Sequence, residues 1–233
     1  MRRKSWTLSN HGSKNEKVIT VENETIMSNY DRQVDIGRNI FMGYDQDKII
    51  RKFQLCSDQK WIFLDYLNTS YRISRKDGKI EAYQKDDTWL ECRSYDTVMT
   101  IYDLLCFAKN ETAPALSGEW QTIGNFAVGS SPGTGTFTKK YAKQFQNSAE
   151  KLKTACEKLG GIIQKPMARA DVTCLIPVTS YFSILLQFWD GDEEFEPELV
   201  LLWDKSSNQF LHFETMFYLQ GDLLDRIKNK LEE

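Results

Sequence analysis

Residues 182–203 read FSILLQFWDGDEEFEPELVLLW, and this stretch decides the fold class. In an extended chain, side chains alternate between faces, which puts Phe182, Ile184, Leu186 and Phe188 together on a fully apolar side. Ser183 and Gln187 dilute the opposite side. Leu199 to Trp203 is apolar on both faces, as a central or covered strand requires. The acidic spacer Asp190 to Pro197 holds Gly191 and Pro197, residues that favour a turn, so the two runs form a hairpin.

The segments on either side add helices to that hairpin. Ser148 to Leu159 places Leu152, Cys156 and Leu159 on one stripe. Asn147 and Glu150 stand at capping-box spacing, and Gly160-Gly161 ends the helix. Phe137, Tyr141 and Phe145 predict another helix over 137–146. A long connection fills 110–136, and before it Val98, Ile101, Tyr102 and Leu105 repeat at helical spacing behind a Ser94 cap. Trp61 to Leu64 and Tyr71 to Ile73 read as strands, and Asp77-Gly78 turns the chain back into Ile80 and Tyr83. Two short helices are expected between Tyr30 and Leu55, with Asp45 and Asp47 favouring the N-terminus of the second. Residues 1–27 read as a loose arm. Phe213 to Glu232 reads as helix, broken in two at Gly221-Asp222. Together these segments predict an α+β fold, a single domain over residues 28–233 with helices packed against a mainly antiparallel sheet.

Composition excludes several functions. With a net charge of −3 over 233 residues, the chain lacks the basic balance of a nucleic-acid binder. No apolar run reaches the roughly 20 residues that span a bilayer, so no membrane partner is expected. Polar sequence follows the basic start Met1-Arg2-Arg3-Lys4, so export is not expected. Five scattered cysteines read as free thiols, which places the protein in a reducing cytoplasm.

Each motif meets a plainer explanation. Five residues separate Gly129 from Gly135 where a phosphate loop has four, and Thr136 stands in place of its lysine. No cofactor is therefore expected. The acidic loop holds six carboxylates, Asp190, Asp192, Glu193, Glu194, Glu196 and Glu198, an oxygen-rich set of the kind that binds calcium or magnesium. It begins like an EF-hand, but Phe195 replaces the required glycine and Leu201 the bidentate glutamate. A solvated hairpin tip that keeps neighbouring strands from aggregating is the plainer explanation, with a cation or a basic partner as the alternative. His212-Phe213-Glu214 matches the H-x-E of zinc deaminases without the P-C-x-x-C that completes the site. Cys174 is the thiol expected in the same sheet as His212, though nothing in the spacing joins them.

From about Tyr95 to Leu231 the chain resembles the uncharacterised prokaryotic family called domain of unknown function 3786. The resemblance lies in Ser117-Gly118-Glu119-Trp120, Tyr141, Phe145, Gly160-Gly161, Asp171 and Ile176-Pro177-Val178. It continues through Phe188-Trp189-Asp190, Glu193-Glu194-Phe195, Leu202-Trp203-Asp204, Leu211 and Glu214. It implies a microbial cytosolic domain and brings no reaction with it. Some relatives carry an iron–sulfur segment whose cysteine spacing is missing here. Asp171, Asp190, Glu193, Glu194 and Glu214 are the polar positions that the resemblance nominates, and Asp192 joins them from the acidic loop. Two function classes stay open. One is a non-catalytic module that binds a small-molecule ligand or a protein partner. The other is a metal-assisted hydrolase or transferase using the acids near 190–198.

Overall fold

The computed structural model describes residues 29–108, 110–127 and 137–233. The expected arm over 1–27 and the glycine-rich stretch 129–136 lie outside the described residues. The long hairpin forms as the alternation requires. Strand β8 (Phe182–Trp189) pairs antiparallel with β9 (Glu198–Asp204), Phe188 facing Leu199 and Ile184 facing Trp203. On its other side β8 pairs with β7 (Val172–Thr179), which carries β6 (Ile162–Ile163), while β5 (Trp120–Thr122) closes the far edge on β9. The fold class is α+β, with the antiparallel strands divided between two sheets.

The second sheet is a meander of β1 (Trp61–Tyr66), β2 (Thr69–Ser74), β3 (Ile80–Tyr83) and β4 (Trp89–Glu91). The β1–β2 connection is the two-residue turn Leu67-Asn68, both at positive φ (47° and 55°), as the twist of a tight hairpin demands. Leu67 is fully buried, and its amide donates to the Val178 carbonyl of β7 at 2.9 Å, which joins the two sheets.

Six α-helices are described. They are α1 (Asn29–Gly43), α2 (Gln46–Phe53), α3 (Tyr95–Cys106), α4 (Lys139–Phe145), α5 (Ala149–Lys158) and α6 (Phe213–Glu232). Asp45 and Ser94 cap α2 and α3 by accepting from the Lys48 and Thr97 amides. A continuous buried cluster runs from Ile62, Tyr66 and Ile73 in one sheet to Ile184, Leu186 and Trp203 in the other. Helix α6 contributes Met216, Leu219, Leu223 and Ile227 to that cluster, at the spacing of one helical face.

Two local expectations fail. Helix α6 runs unbroken through Gly221, where a Cβ would meet only Asp96 Oδ2 at 3.5 Å and Phe137 Cζ at 3.6 Å. Packing on α3 and α4 fixes this turn, so the weak helix propensity of glycine is overridden. Asn147 does not cap α5. It sits at φ 58° and its amide donates to Asp190 Oδ1 at 2.8 Å, while Ser148 occupies the N-cap without a side-chain bond.

Most residues that carry the family resemblance have structural work. The Asp204 carboxylate is fully buried and accepts from the Ser117, Gly118 and Ser206 amides and from the Ser117 and Ser206 hydroxyls, at 2.6–2.9 Å. Gly118 provides the positive φ (75°) that the Ser117-Gly118 bend needs. A Cβ on Gly161 would lie 2.6 Å from both the Cys156 carbonyl oxygen and the Cys174 sulfur. A second polar knot ties α6 to the other sheet. Arg226 Nε donates to Asp222 Oδ1 (2.7 Å) and Nη2 to the Tyr71 hydroxyl (2.8 Å), while the Thr97 hydroxyl donates to Asp222 Oδ2 (2.7 Å).

Candidate functional site

Helices α1, α3 and α6 leave a pocket of about 530 Å³ between them. Its apolar walls include Ile36 and Ile40 of α1, Met99 of α3, and Phe107 just past the end of α3. Ile36 and Ile40 are each about half exposed, so this part of α1 offers apolar surface to the pocket. The polar groups of the pocket come mainly from α3 and the start of α6.

Those groups are placed by an ordinary structural need. The first amides of a helix lack partners within it. His212 is the N-cap of α6 and gives no side-chain cap. Asp103, one helix away, supplies the missing acceptor: its Oδ2 takes the His212 amide at 2.8 Å and its Oδ1 meets His212 Nδ1 at 2.7 Å. A negative group at a helix N-terminus is also favoured by the helix dipole. A carboxylate only accepts, so the proton of a neutral His212 sits on Nδ1 and Nε2 keeps its lone pair. The Asp103 side chain is 13% exposed and that of His212 59%, so an anchored carboxylate holds an accessible imidazole at the pocket rim.

Glu214, in the first turn of α6, lines the same pocket and makes no hydrogen bond or ion pair with the described residues. Tyr95 and Tyr218 meet edge to face with centroids 5.2 Å apart. Burial and the neighbouring Tyr218 push the Tyr95 hydroxyl above its ordinary pKa, so it remains a donor at neutral pH. Cys106 also lines the pocket, and burial, aided by the charge of Asp103, pushes its thiol up to about 12. The thiol form is a poor nucleophile, so Cys106 acts as wall. Cys174, the thiol expected near His212, is instead buried in β7 beside Cys156.

The other nominated acids lie elsewhere. Asp171 Oδ2 accepts from the Asp190 amide (2.8 Å), and Asp190 Oδ1 from the amides of Asn147 (2.8 Å) and Gly191 (3.0 Å). Asp192 Oδ1 accepts from the Glu194 and Phe195 amides, both at 2.8 Å, a local turn that shapes the hairpin tip. Glu193 and Glu194 are exposed on that tip. Among the described residues, no three His, Cys, Asp or Glu side chains converge as metal ligands do. Sequence reasoning weighed His212 and Glu214 but missed Asp103, because Asp103 and His212 are 109 residues apart and no spacing rule connects them.

The family model described as Domain of unknown function (DUF3786) matches residues 45–226. The chain belongs to the DUF3786 family. The match begins well before Tyr95, so it takes in both sheets and helices α2 to α5, together with most of α6. Asp103, His212, Glu214 and the Asp204 knot all fall inside the DUF3786 segment, whereas the α1 wall of the pocket lies outside it. No curated protein and no solved structure matches the chain. Among the described residues, no helix is long and apolar enough to cross a membrane.

Proposed function

We propose that this DUF3786 chain is a non-catalytic binding module of the cytoplasm. In this reading, residues 28–233 act as one domain and the pocket between α1, α3 and α6 takes a small molecule. The observation that carries the reading is the two-point clamp of Asp103 on His212 at the rim of an apolar pocket, beside a Glu214 that makes no hydrogen bond or ion pair among the described residues. The volume lies within the roughly 300–1,000 Å³ usual for ligand pockets, and an apolar lining with few oriented polar groups is their usual chemistry.

The polar groups also indicate what the ligand carries. Glu214 and the free Nε2 of His212 are both acceptors, so the complementary group is an N–H donor, best a protonated amine. Tyrosine faces attract cations, and the aliphatic walls favour an apolar body. An arylalkylamine combines these properties, and phenethylamine is a simple probe. Isothermal titration should show saturable binding of phenethylamine and none of phenylpropionate, its carboxylate counterpart. Glu214→Gln should weaken the amine about tenfold, equivalent to ~1.4 kcal/mol. Equal binding of amine and carboxylate, or indifference to Glu214→Gln and His212→Ala together, would refute the assignment.

A further inference from the structure

The four-stranded sheet gives only one of its faces to the core. Ile62, Leu64, Tyr71, Ile73 and Ile80 are buried on that side, and the alternate positions Trp61, Phe63, Arg72, Glu81, Tyr83 and Trp89 share the other. Trp61, Phe63 and Trp89 are half-buried yet lie outside the buried cluster and the residues packed on it, and Tyr83 is 41% exposed. The outer face of a half-covered antiparallel sheet ordinarily alternates to polar residues, so four rings there call for a reason. Part of it is internal. The Arg72 guanidinium lies 4.0 Å from the Trp61 ring centroid and 4.6 Å from that of Trp89, and pairs with Glu81 at 2.6 Å. Phe63 and Tyr83 take no part in that stack.

The shape of the ring cluster indicates what it receives. Tyr83 and Trp89 meet with centroids 5.1 Å apart and planes at 58°, and Phe63 and Trp89 at 6.4 Å and 59°. Rings so tilted form two V-shaped clefts that share Trp89, where a flat platform would need coplanar rings. Proline rings dock in aromatic-lined clefts, and the polyproline II helix is preformed, so little order is lost on binding. Its backbone makes no internal hydrogen bonds, which leaves its carbonyls free to accept. The indole N–H groups of Trp61 and Trp89 have no hydrogen-bond partner among the described residues and can supply the donors. Charge sets the direction. Exposed Asp65 lies at the end of β1, and at the same end of the sheet Asp86 and Asp87 stand in the turn between Tyr83 and Trp89, with Lys85 beside them. Lys60 and Lys79 stand at the opposite end, before Trp61 and Ile80. The acidic end opposes a nucleic-acid strand and suits a basic residue next to the prolines.

We infer that this aromatic face binds a proline-rich segment of a partner protein, held as a polyproline II helix with a basic residue at the Tyr83 end. The test is isothermal titration of the full chain with an octaproline peptide ending in arginine. Saturable binding with a change in tryptophan emission is expected, weakened severalfold when glutamate replaces the arginine. A Gly-Ser peptide of equal length with the same arginine should not bind. Trp89→Ala and Tyr83→Ala should each lose about tenfold in affinity, as aromatic anchors do. The Tyr83 ring is exposed, so Tyr83→Ala should keep the melting temperature, which separates a lost contact from a lost fold. Full affinity in Tyr83→Ala, equal binding of the Gly-Ser peptide, no binding by the proline peptide, or binding of cellohexaose in its place would overturn the inference. Glu214→Gln belongs to the other pocket and should leave peptide binding unchanged.

Discussion

Replacing Asp204 by alanine tests whether this carboxylate is the chief polar fastening of the β5–β9 edge. Asp204 accepts five hydrogen bonds, three of them from backbone amides that alanine would leave without an acceptor. Each stranded buried donor costs about 1–3 kcal/mol. Ser117 and Gly118 lie in an exposed segment, where water recovers part of that loss, while Ser206 is buried. The sum comes to roughly 3–5 kcal/mol, within the range for breaking a buried charged network. Asp204→Asn keeps one acceptor oxygen and should cost about half as much. Urea unfolding should show a lower midpoint with an unchanged slope.

The same site carries a pH signature. Burial pushes the Asp204 carboxyl up, but the hydrogen bonds from Ser206 and Ser117 outweigh it and hold the pKa below its ordinary 3.8. A group whose pKa is lower in the folded state stabilises the protein above its unfolded value, and that stabilisation is lost as pH falls through the folded value. The wild-type advantage over Asp204→Asn should therefore be constant at neutral pH and shrink below 3.8. A loss under about 1 kcal/mol for Asp204→Ala, or an advantage unchanged in strong acid, would refute the reasoning.

Other consequences concern the rest of the fold. Arg226 and Asp222 are mostly buried, with side chains 20% and 9% exposed, so Arg226→Met alone should cost about 3–5 kcal/mol by stranding Asp222. Adding Asp222→Leu should recover part of that loss, and a double-mutant cycle by urea unfolding measures the coupling. Gly221→Ala should stabilise the protein by up to about 1 kcal/mol, because α6 is continuous there and the new methyl meets only ordinary contacts. A drop in melting temperature would mean the helix is broken at that glycine. With iodoacetamide at neutral pH, exposed Cys56 should be alkylated while Cys106, with its thiol pushed up to about 12, resists until the chain unfolds. Mass spectrometry of the labelled peptides reads both.

The legible parts of the fold were those governed by near neighbours in sequence. Period-two alternation exposed β8, and Ser94 and Asp45 announced helices they do cap. Asn147 had the spacing of a cap but was claimed by Asp190, a partner 43 residues away. Gly221 looked like a break because propensity carries no knowledge of α3 and α4. Strand β5 escaped notice because it is three residues long and exists only through pairing with β9. The division of the strands into two sheets was hidden for the same reason: periodicity marks a strand's faces and is silent about its partners. Glu214 stood out through the family resemblance, while nothing in the sequence marked Asp103, whose partner His212 is brought to it only by the packing of α6.

The central claim is that the pocket between α1, α3 and α6 receives a ligand. Met99 and His212 both line that pocket, so their nuclear resonances report it directly. Titrating phenethylamine into protein carrying isotope-labelled methionine methyl and histidine ring groups should move both signals along one saturation curve. Saturable binding that leaves the two resonances in place while shifting signals elsewhere would contradict the account.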